Sequence, residues 1–443
     1  MNDAGSIPES FLKAIRRAAE DLARSSWKEL VQGADGQAMD VWMREHGGEF
    51  LRGVLAAAIS ARSERIPITE TCECGEPIVF RQRRPFVFHT VIPGRDVEAR
   101  ICWGRCGSCG KWFAPIVADM KVDSEGFTQG LTDLAVLAAV IEPYEAAGRD
   151  LLGRFAGVRV SKEKMESLVS VEGKRADEFV GAAAPAANPP SAQSPSEPLY
   201  VAIDGGMIRV DKAWQEVKLA CLFGGEERTE VSKDRATLSG RRFVAVRGNP
   251  EALGDRLWPM AEAAGAATRK VVVLGDGAPW IWNLAADRFP ERAEILDWYH
   301  ANEHLSEAAR KLYGPYSEKA AAWRKSIADR LWENDIDGVI QDLEVLATRQ
   351  RSQEKRSTLE ELAGYFTKNR TRMTYGSYRD RGYHVGSGAV ESAVNHVVQQ
   401  RMKRPGMRWK SPGADAILAL RCVYRTTGAW DRFCSDRPIR KAA

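Results

Sequence analysis

The chain has 443 residues and a mass of 49.1 kDa, with 44% hydrophobic and 28% charged residues. That soluble globular balance predicts roughly three domains of about 150 residues each and excludes fibrous, disulfide-scaffold and wholly disordered classes. The net charge of +4 announces no polyanionic partner by itself, but from Gln399 onward 11 Lys and Arg stand against 3 acids, leaving +8 there and −4 elsewhere. No run of about 18 apolar residues and no export signal is visible, so the chain reads as cytoplasmic, without a membrane partner.

In chain order, Phe11, Leu12, Ile15, Ala18, Ala19 and Leu22, then Leu51, Val54, Leu55 and Ile59, recur at helical spacing and predict helix over 10–62, within a helical region 1–65. Residues 66–118 change to the alternating stretches IVFRQRRPFVFHTV and DVEARICW, parted by the turn Pro93-Gly94-Arg95-Asp96, and predict a small β module. Five of the eight cysteines fall there: Cys72, Cys74, Cys102, Cys106 and Cys109. Cys106-Gly-Ser-Cys109-Gly110 has the spacing of a zinc knuckle, and Cys72-Glu-Cys74-Gly75 is a tighter partner. Four thiolates from Cys72, Cys74, Cys106 and Cys109 are therefore expected to close a structural Zn²⁺ site of zinc-ribbon type. Cys102 is surplus and is able to replace one of them; ordinary buried thiols are the alternative.

Residues 119–180 return to helical periodicity in three pieces, with Gly157 closing the second and Ser161 capping the third. A helix-turn-helix and a plain helical bundle fit that spacing equally. The Ala/Pro/Ser-rich stretch 181–198 reads as a linker. After it LYVAID, WQEVKLACLF, GRRFVAVRG, KVVVLGD and AEILDW read as strands, with helices before the fourth and fifth, so a mixed α/β sheet is expected over 199–297 and 384–425. Residues 298–383 read as an all-α insertion, a last long helix begins near Gly388, and 426–443 form a basic tail.

Asp204 and Asp276 each end an apolar strand and are followed at once by glycine, at the sheet edge where α/β proteins bind ligands. Two such carboxylates repel, which makes a divalent cation their natural counter-charge; a lone strand-end Asp more often begins a turn. Glu391 falls in the first turn of the last helix, where it either joins those acids or complements the helix dipole. The same helix runs on into Arg401, Lys403, Arg404, Arg408, Trp409 and Lys410. His300 and His304, four residues apart, lack the zinc-protease order; hydrogen bonding at the start of the insertion is the favoured reading. Trp280, Trp282 and Trp298 flank the second acid; core packing is the favoured reading for rings this close to strands, and stacking on an unpaired base is the alternative, for which Trp409 is better placed.

Asp204, Asp276, a helical interval and Glu391 within VGSGAVESA, followed by RMKRPGMRW, resemble the DDE signature of bacterial insertion-sequence transposases, closest to the ISKra-type group and more loosely to Mutator-like elements. LDWYHANEHL, with Asp297 and His300, resembles the histidine signature those elements carry after the second acid. The resemblance covers about residues 198–425. It implies an RNase H-like fold with an all-α insertion, with Asp204, Asp276 and Glu391 as catalytic ligands of two Mg²⁺ (or Mn²⁺) and Asp297 and His300 in support. It further implies a nucleoid-associated bacterial enzyme that cuts and joins DNA as a homodimer or higher oligomer on transposon end repeats and target DNA, gripped by Arg401, Lys403, Arg404, Arg408, Trp409 and Lys410. Arg81, Arg83 and Arg84 become candidate DNA contacts in the β module. One departure is visible: Val394-Asn395 stands where the group carries Cys-Lys, which removes a phosphate contact and leaves the carboxylates in place. An RNase H-like nuclease without strand transfer and a domesticated DNA-binding protein are the alternatives.

Overall fold

The computed structural model describes residues 7–31, 33–66, 71–94, 96–182, 197–232, 235–386 and 393–436. Most of the expected linker, and Glu391 itself, lie outside them. Two compact units are present, one formed by residues up to Val169 with Asp436, the other by Ser170–Ser435.

In the first unit the apolar spacing yields two 18-residue helices, α1 (Glu9–Ser26) and α3 (Gly48–Arg65). Between them Gly33, at φ +115°, ends the first helical stretch, and the Asp35 carboxylate accepts the Ala38 amide at 2.8 Å to start α2 (Gly36–Trp42). An antiparallel hairpin, β1 (Ile78–Phe88) and β2 (Val97–Cys106), follows, with β3 (Trp112–Phe113) on the far side of β2. Period-2 burial on β2 sends Val97, Ala99 and Ile101 inward, where they meet Phe88, Ile116 and Val122 and, from α3, Ile59. Helix α3 thus roofs the hairpin, and the Cys102 amide donates to Ser63 Oγ at 2.8 Å. The hairpin and the preceding helix share one core because neither buries enough alone.

Helices α4 (Pro115–Asp119), α5 (Gln129–Ile141), α6 (Tyr144–Ala146, running into a π-helical stretch over Ala147–Ala156) and α7 (Lys162–Gly181) follow. Gly157 ends the third of these at φ +68°, and Ser161 Oγ accepts the Lys164 amide at 3.2 Å, the two boundaries read from sequence.

The second unit is built on a five-stranded mixed sheet of β4 (Leu199–Val210), β5 (Ala213–Gly224), β8 (Arg242–Arg247), β9 (Val271–Gly275) and β10 (Arg292–Leu296), in the order β10-β9-β4-β5-β8. The last two strands in sequence run parallel to β4, and β5 and β8 form an antiparallel extension. A short hairpin, β6 (Arg228–Ser232) and β7 (Arg235–Leu238), which apolar patterning does not reveal, precedes β8. Leu199–Ile203 and Val271–Leu274 are buried throughout, as central strands covered on both faces must be. Helices α8 (Pro250–Ala263) and α9 (Pro279–Arg288) connect the strands. Then come α10 (Trp298–Tyr313), α11 (Glu318–Trp332), α12 (Ile336–Thr348), α13 (Gln353–Asn369) and α14 (Tyr375–Asp380), the helical insertion that the sequence predicts.

The expected single helix through the basic residues is corrected. From Ala393 a π-helical turn (Val394–Gln399) and Gln400–Met402 continue together as α15 and stop at Lys403, because Pro405 cannot extend a helix and Gly406 takes φ +75°. The chain then crosses to β4, where Trp409 and Val210 form a parallel bridge, before α16 (Ser411–Arg425) and α17 (Ala429–Ser435). Among the described residues no helix is long and apolar enough to cross a membrane.

Candidate metal centres

The first centre is built by two tight turns facing each other. Cys72 and Cys74 lie on a turn in which the Gly75 amide donates to the Cys72 carbonyl at 2.8 Å, with Gly75 at φ +87°; Cys106 and Cys109 lie on a second, closed by the Gly110 amide on the Cys106 carbonyl at 3.1 Å, with Gly110 at φ +75°. The Sγ atoms of Cys72 and Cys109 are 3.3 Å apart and those of Cys74 and Cys106 3.6 Å, and all four lie within 4.8 Å of one another. Zinc at about 2.3 Å from each of four tetrahedral thiolates requires sulfurs at about this spacing. The four cysteines therefore form a group able to hold a metal such as zinc. Cys102 is outside it, packed with Phe113 against Cys72, Ile78 and Cys106.

Charge at the sulfurs fits that reading. The Cys109 amide above all, and that of Ser108, lower the Cys106 thiol to about 6. At Cys72 the Cys74 amide pulls the same way but is outweighed by burial and by the thiols of Cys109, Cys74 and Cys106, which push it to about 12.

Of the arginines proposed for this module, Arg83 is 3.0 Å from Glu64 and the Arg84 guanidinium lies 4.0 Å above the Trp112 ring. Both have local structural work, Arg83 toward α3 and Arg84 over β3.

The second centre is set by register. Ile203 of β4 pairs with Gly275 of β9, and Gly275 pairs with Leu296 of β10, so Asp204, still within β4, and Asp276 and Asp297, just past β9 and β10, each follow the last parallel pair of three adjacent strands. Strands lie about 4.8 Å apart, which brings the three acids to one sheet edge. Asp204 is 8% exposed and accepts the Gly205 amide at 2.6 Å. Burial pushes its carboxyl up to about 6, against that amide and the His300 imidazole, and the negative charges of Asp276 and Asp297 add to the rise. Asp276 accepts the Ala278 amide at 2.8 Å. Asp297 caps α10, accepting the amides of Tyr299 at 2.7 Å and His300 at 3.2 Å. Among the described residues no three acid or histidine side chains at this edge converge as closely as the four cysteines.

The flanks of the stretch that contains Glu391 meet the same edge. The Trp298 amide donates to the Val385 carbonyl at 3.0 Å, and on the other side Val394 and Val398 pack so near Gly206 that a Cβ there would lie 3.0 Å from Val394 Cγ1.

Sequence reasoning missed Tyr365. From α13 its hydroxyl donates to the Asp276 carbonyl at 2.7 Å, and its ring lies tilted against that of His304, with centroids 4.1 Å apart. Its pKa is pushed up by burial and by the charges of Asp276 and Asp297. Gly277, at φ +101°, permits this approach, since a Cβ would lie 3.0 Å from the Tyr365 ring. Burial also lowers the His304 imidazole. His300 Nδ1 instead faces Glu303 at 3.4 Å.

Two of the six expected nucleic-acid contacts, Arg401 and Trp409, lie in the core instead. Arg401 is 1% and Trp409 7% exposed. The Arg401 guanidinium lies 5.0 Å over the Trp409 ring, and the indole N–H donates to the Met402 carbonyl at 3.0 Å. Both are core residues, because the return of the chain to β4 turns Trp409 inward. Lys403, Arg408 and Lys410 are exposed, and Arg404, half-exposed, donates to the Gln400 carbonyl. Trp282 is buried beneath Arg372, and Trp298 packs edge-on against Trp332 and Tyr375, so neither offers a free face; Trp280 is half-buried with the Lys218 ammonium 5.2 Å away.

Residues 118–434 match the uncharacterised protein family UPF0236. The chain belongs to that family. Its matched span takes in the whole five-stranded sheet with Asp204, Asp276 and Asp297, and begins after the four cysteines. No curated protein matches the chain.

Proposed function

We propose that this UPF0236 protein is a DNA transposase of the DDE type, acting on nucleoid DNA in the cytoplasm. The observation that carries the reading is the arrival of Asp204 and Asp276 at one edge of neighbouring parallel strands, where the charge of Asp276 adds to burial in raising the Asp204 carboxyl. The strand order β10-β9-β4-β5-β8, with one antiparallel wing and one parallel wing, supports an RNase H-like assignment for the sheet. The donor set suits a hard divalent ion: carboxylate oxygens near one another, partly desolvated, with no thiolate among them. Asp204 and Asp276, with Glu391, would hold Mg²⁺ or Mn²⁺.

Two such ions supply, when bound, activation of the attacking oxygen and stabilisation of the leaving one in an in-line phosphoryl displacement. The protein's part is to fix the carboxylates. Backbone amides of Gly205 and Ala278 orient Asp204 and Asp276, Tyr365 holds the Asp276 backbone, and Asp297 anchors α10 beside them. In the first unit zinc at Cys72, Cys74, Cys106 and Cys109 would staple the hairpin, and the helices after it would bind the element's terminal repeats. Two DNA ends must be processed together, so the active form is a homodimer or higher oligomer on DNA.

The test is cleavage and strand transfer on DNA carrying the element's ends, with Mg²⁺ or Mn²⁺. Asp204→Ala, Asp276→Ala and Glu391→Ala are expected to abolish both activities; variants as active as wild type would refute the assignment. Nicked DNA without joined product would leave a hydrolytic nuclease instead.

A further inference from the structure

The outer end of the β4–β5 hairpin extends past the carboxylates. Beyond Ile203 the edge of β4 away from β5 is no longer covered by β9. The segment around Trp409 occupies it: the Asp211 amide donates to the Trp409 carbonyl at 2.9 Å and the Trp409 amide to the Arg209 carbonyl at 3.1 Å. Side-chain alternation then sorts the residues. Trp409 lies on the inward face with Val210, both buried, while its neighbours Arg408 and Lys410 are exposed. Arg209 is exposed beside its cross-strand partner Trp214, and Met207 is 42% exposed on the same alternation. Trp214 is 57% exposed, an unusual position for the largest apolar side chain, and the Lys403 ammonium lies 5.8 Å from its ring.

The nearby acids are engaged. Asp211 accepts Ser411 Oγ at 2.5 Å, and Glu216 is paired with Lys218 at 2.6 Å. What remains is an exposed indole with Lys403 near its ring and Arg209 as its cross-strand partner, some 200 residues apart in sequence, and the exposed Arg408 and Lys410 on either side of the bridge to Val210. An aromatic face among Lys and Arg is the pattern that holds unpaired bases by stacking and their phosphates by charge. An acidic peptide would use the cations and leave the indole idle. Arg209 lies five residues along β4 from Asp204, about 17 Å at 3.3–3.4 Å per residue, a span of a few nucleotides.

We propose that this hairpin end is a docking platform for single-stranded nucleic acid, with Trp214 as the stacking face and Arg209, Lys403, Arg408 and Lys410 as phosphate contacts. The proposal rests on the transposase reading for its place beside the carboxylates, where it holds the strand that runs out from the cut end. Binding itself requires no metal and no cleavage.

The test is fluorescence anisotropy of the full chain with a labelled oligothymidine of about 20 nucleotides in chelator, in an Asp276→Ala background, so that loss of cleavage and loss of binding are read separately. Trp214→Ala is expected to weaken binding about 5- to 150-fold, the range that corresponds to one stacked base. Trp214→Phe should restore part of it, and Lys403→Ala with Arg408→Ala should lower the salt dependence of log K by about 0.7 per cation removed. Circular dichroism should be unchanged, since all three side chains are exposed. Unaltered affinity in Trp214→Ala, or equal competition by polyglutamate, would overturn the proposal whether or not the protein cleaves DNA.

Discussion

The two candidate centres solve the same problem in opposite ways. The four sulfurs are gathered by two short turns separated by one hairpin, and they lie at coordination spacing. The carboxylates come from segments far apart in sequence and are aligned only by strand register, and burial, with the charges of Asp276 and Asp297, raises Asp204. A soft site of neutralisable thiols can be assembled by local chain geometry. Carboxylates brought to one sheet edge by strand register repel one another, and nothing in local chain geometry draws them closer.

The largest effect that would sharpen this contrast is expected at the cysteines. Cys106→Ser should remove one equivalent of zinc, measured by elemental analysis, and cost several kcal/mol in the melting of the first unit. Free-standing zinc modules owe about 10–16 kcal/mol to their metal, but here α3 already shares the hairpin core. A chain free of zinc with wild-type melting would break the comparison on this side.

At the sheet edge the corresponding substitution should act in the other direction on stability. Without metal, Asp204 is raised from an ordinary 3.8 to about 6, so the folded chain holds its proton more tightly than the unfolded one and loses stability as pH rises through that window. Asp204→Asn should therefore stabilise the chelated protein at pH 7 by up to about 3 kcal/mol, with the gain shrinking below pH 6 and vanishing near pH 4. Denaturant titrations across that range check it; a variant less stable than wild type at pH 7 would remove the case for a strained carboxylate. The same variant should lower metal-dependent cleavage by at least 10²–10³-fold, roughly the loss seen when one transition-state donor is removed.

The smallest expected effect is at Tyr365. Tyr365→Phe deletes the hydrogen bond to the Asp276 carbonyl, worth about 1 kcal/mol, and should cut cleavage several-fold while leaving the zinc content of the first unit unchanged. An unchanged rate would show that α13 only covers the edge.

Much of this was legible in the sequence where the signal is local. The apolar runs before Asp204 and Asp276 became buried strands, Ser161 and Gly157 bound their helices, and the cysteine spacing pointed to the four-sulfur group, whereas only the folded chain leaves Cys102 outside it. What failed depended on tertiary return of the chain. Pro405-Gly406 was a visible helix breaker, yet only the bridge to Val210 explains why Trp409 and Arg401 turn inward while Lys403, Arg408 and Lys410 stay outside. Tyr365 and Trp214 carried no signal at all, because an aromatic on a helix or strand looks alike whether it meets a carboxylate or solvent.

The bridge at Trp409 also bears on how the protein is made. The distal half of β4 leaves the ribosome roughly 200 residues ahead of the segment that covers it, about 10–40 s at ordinary elongation rates. Throughout that interval the nascent sheet presents a raw hydrogen-bonding edge beside Ile208 and Val210, the kind of border on which chains stick to one another. Truncations that stop short of Trp409 should accordingly precipitate during expression, even with every strand of the sheet intact.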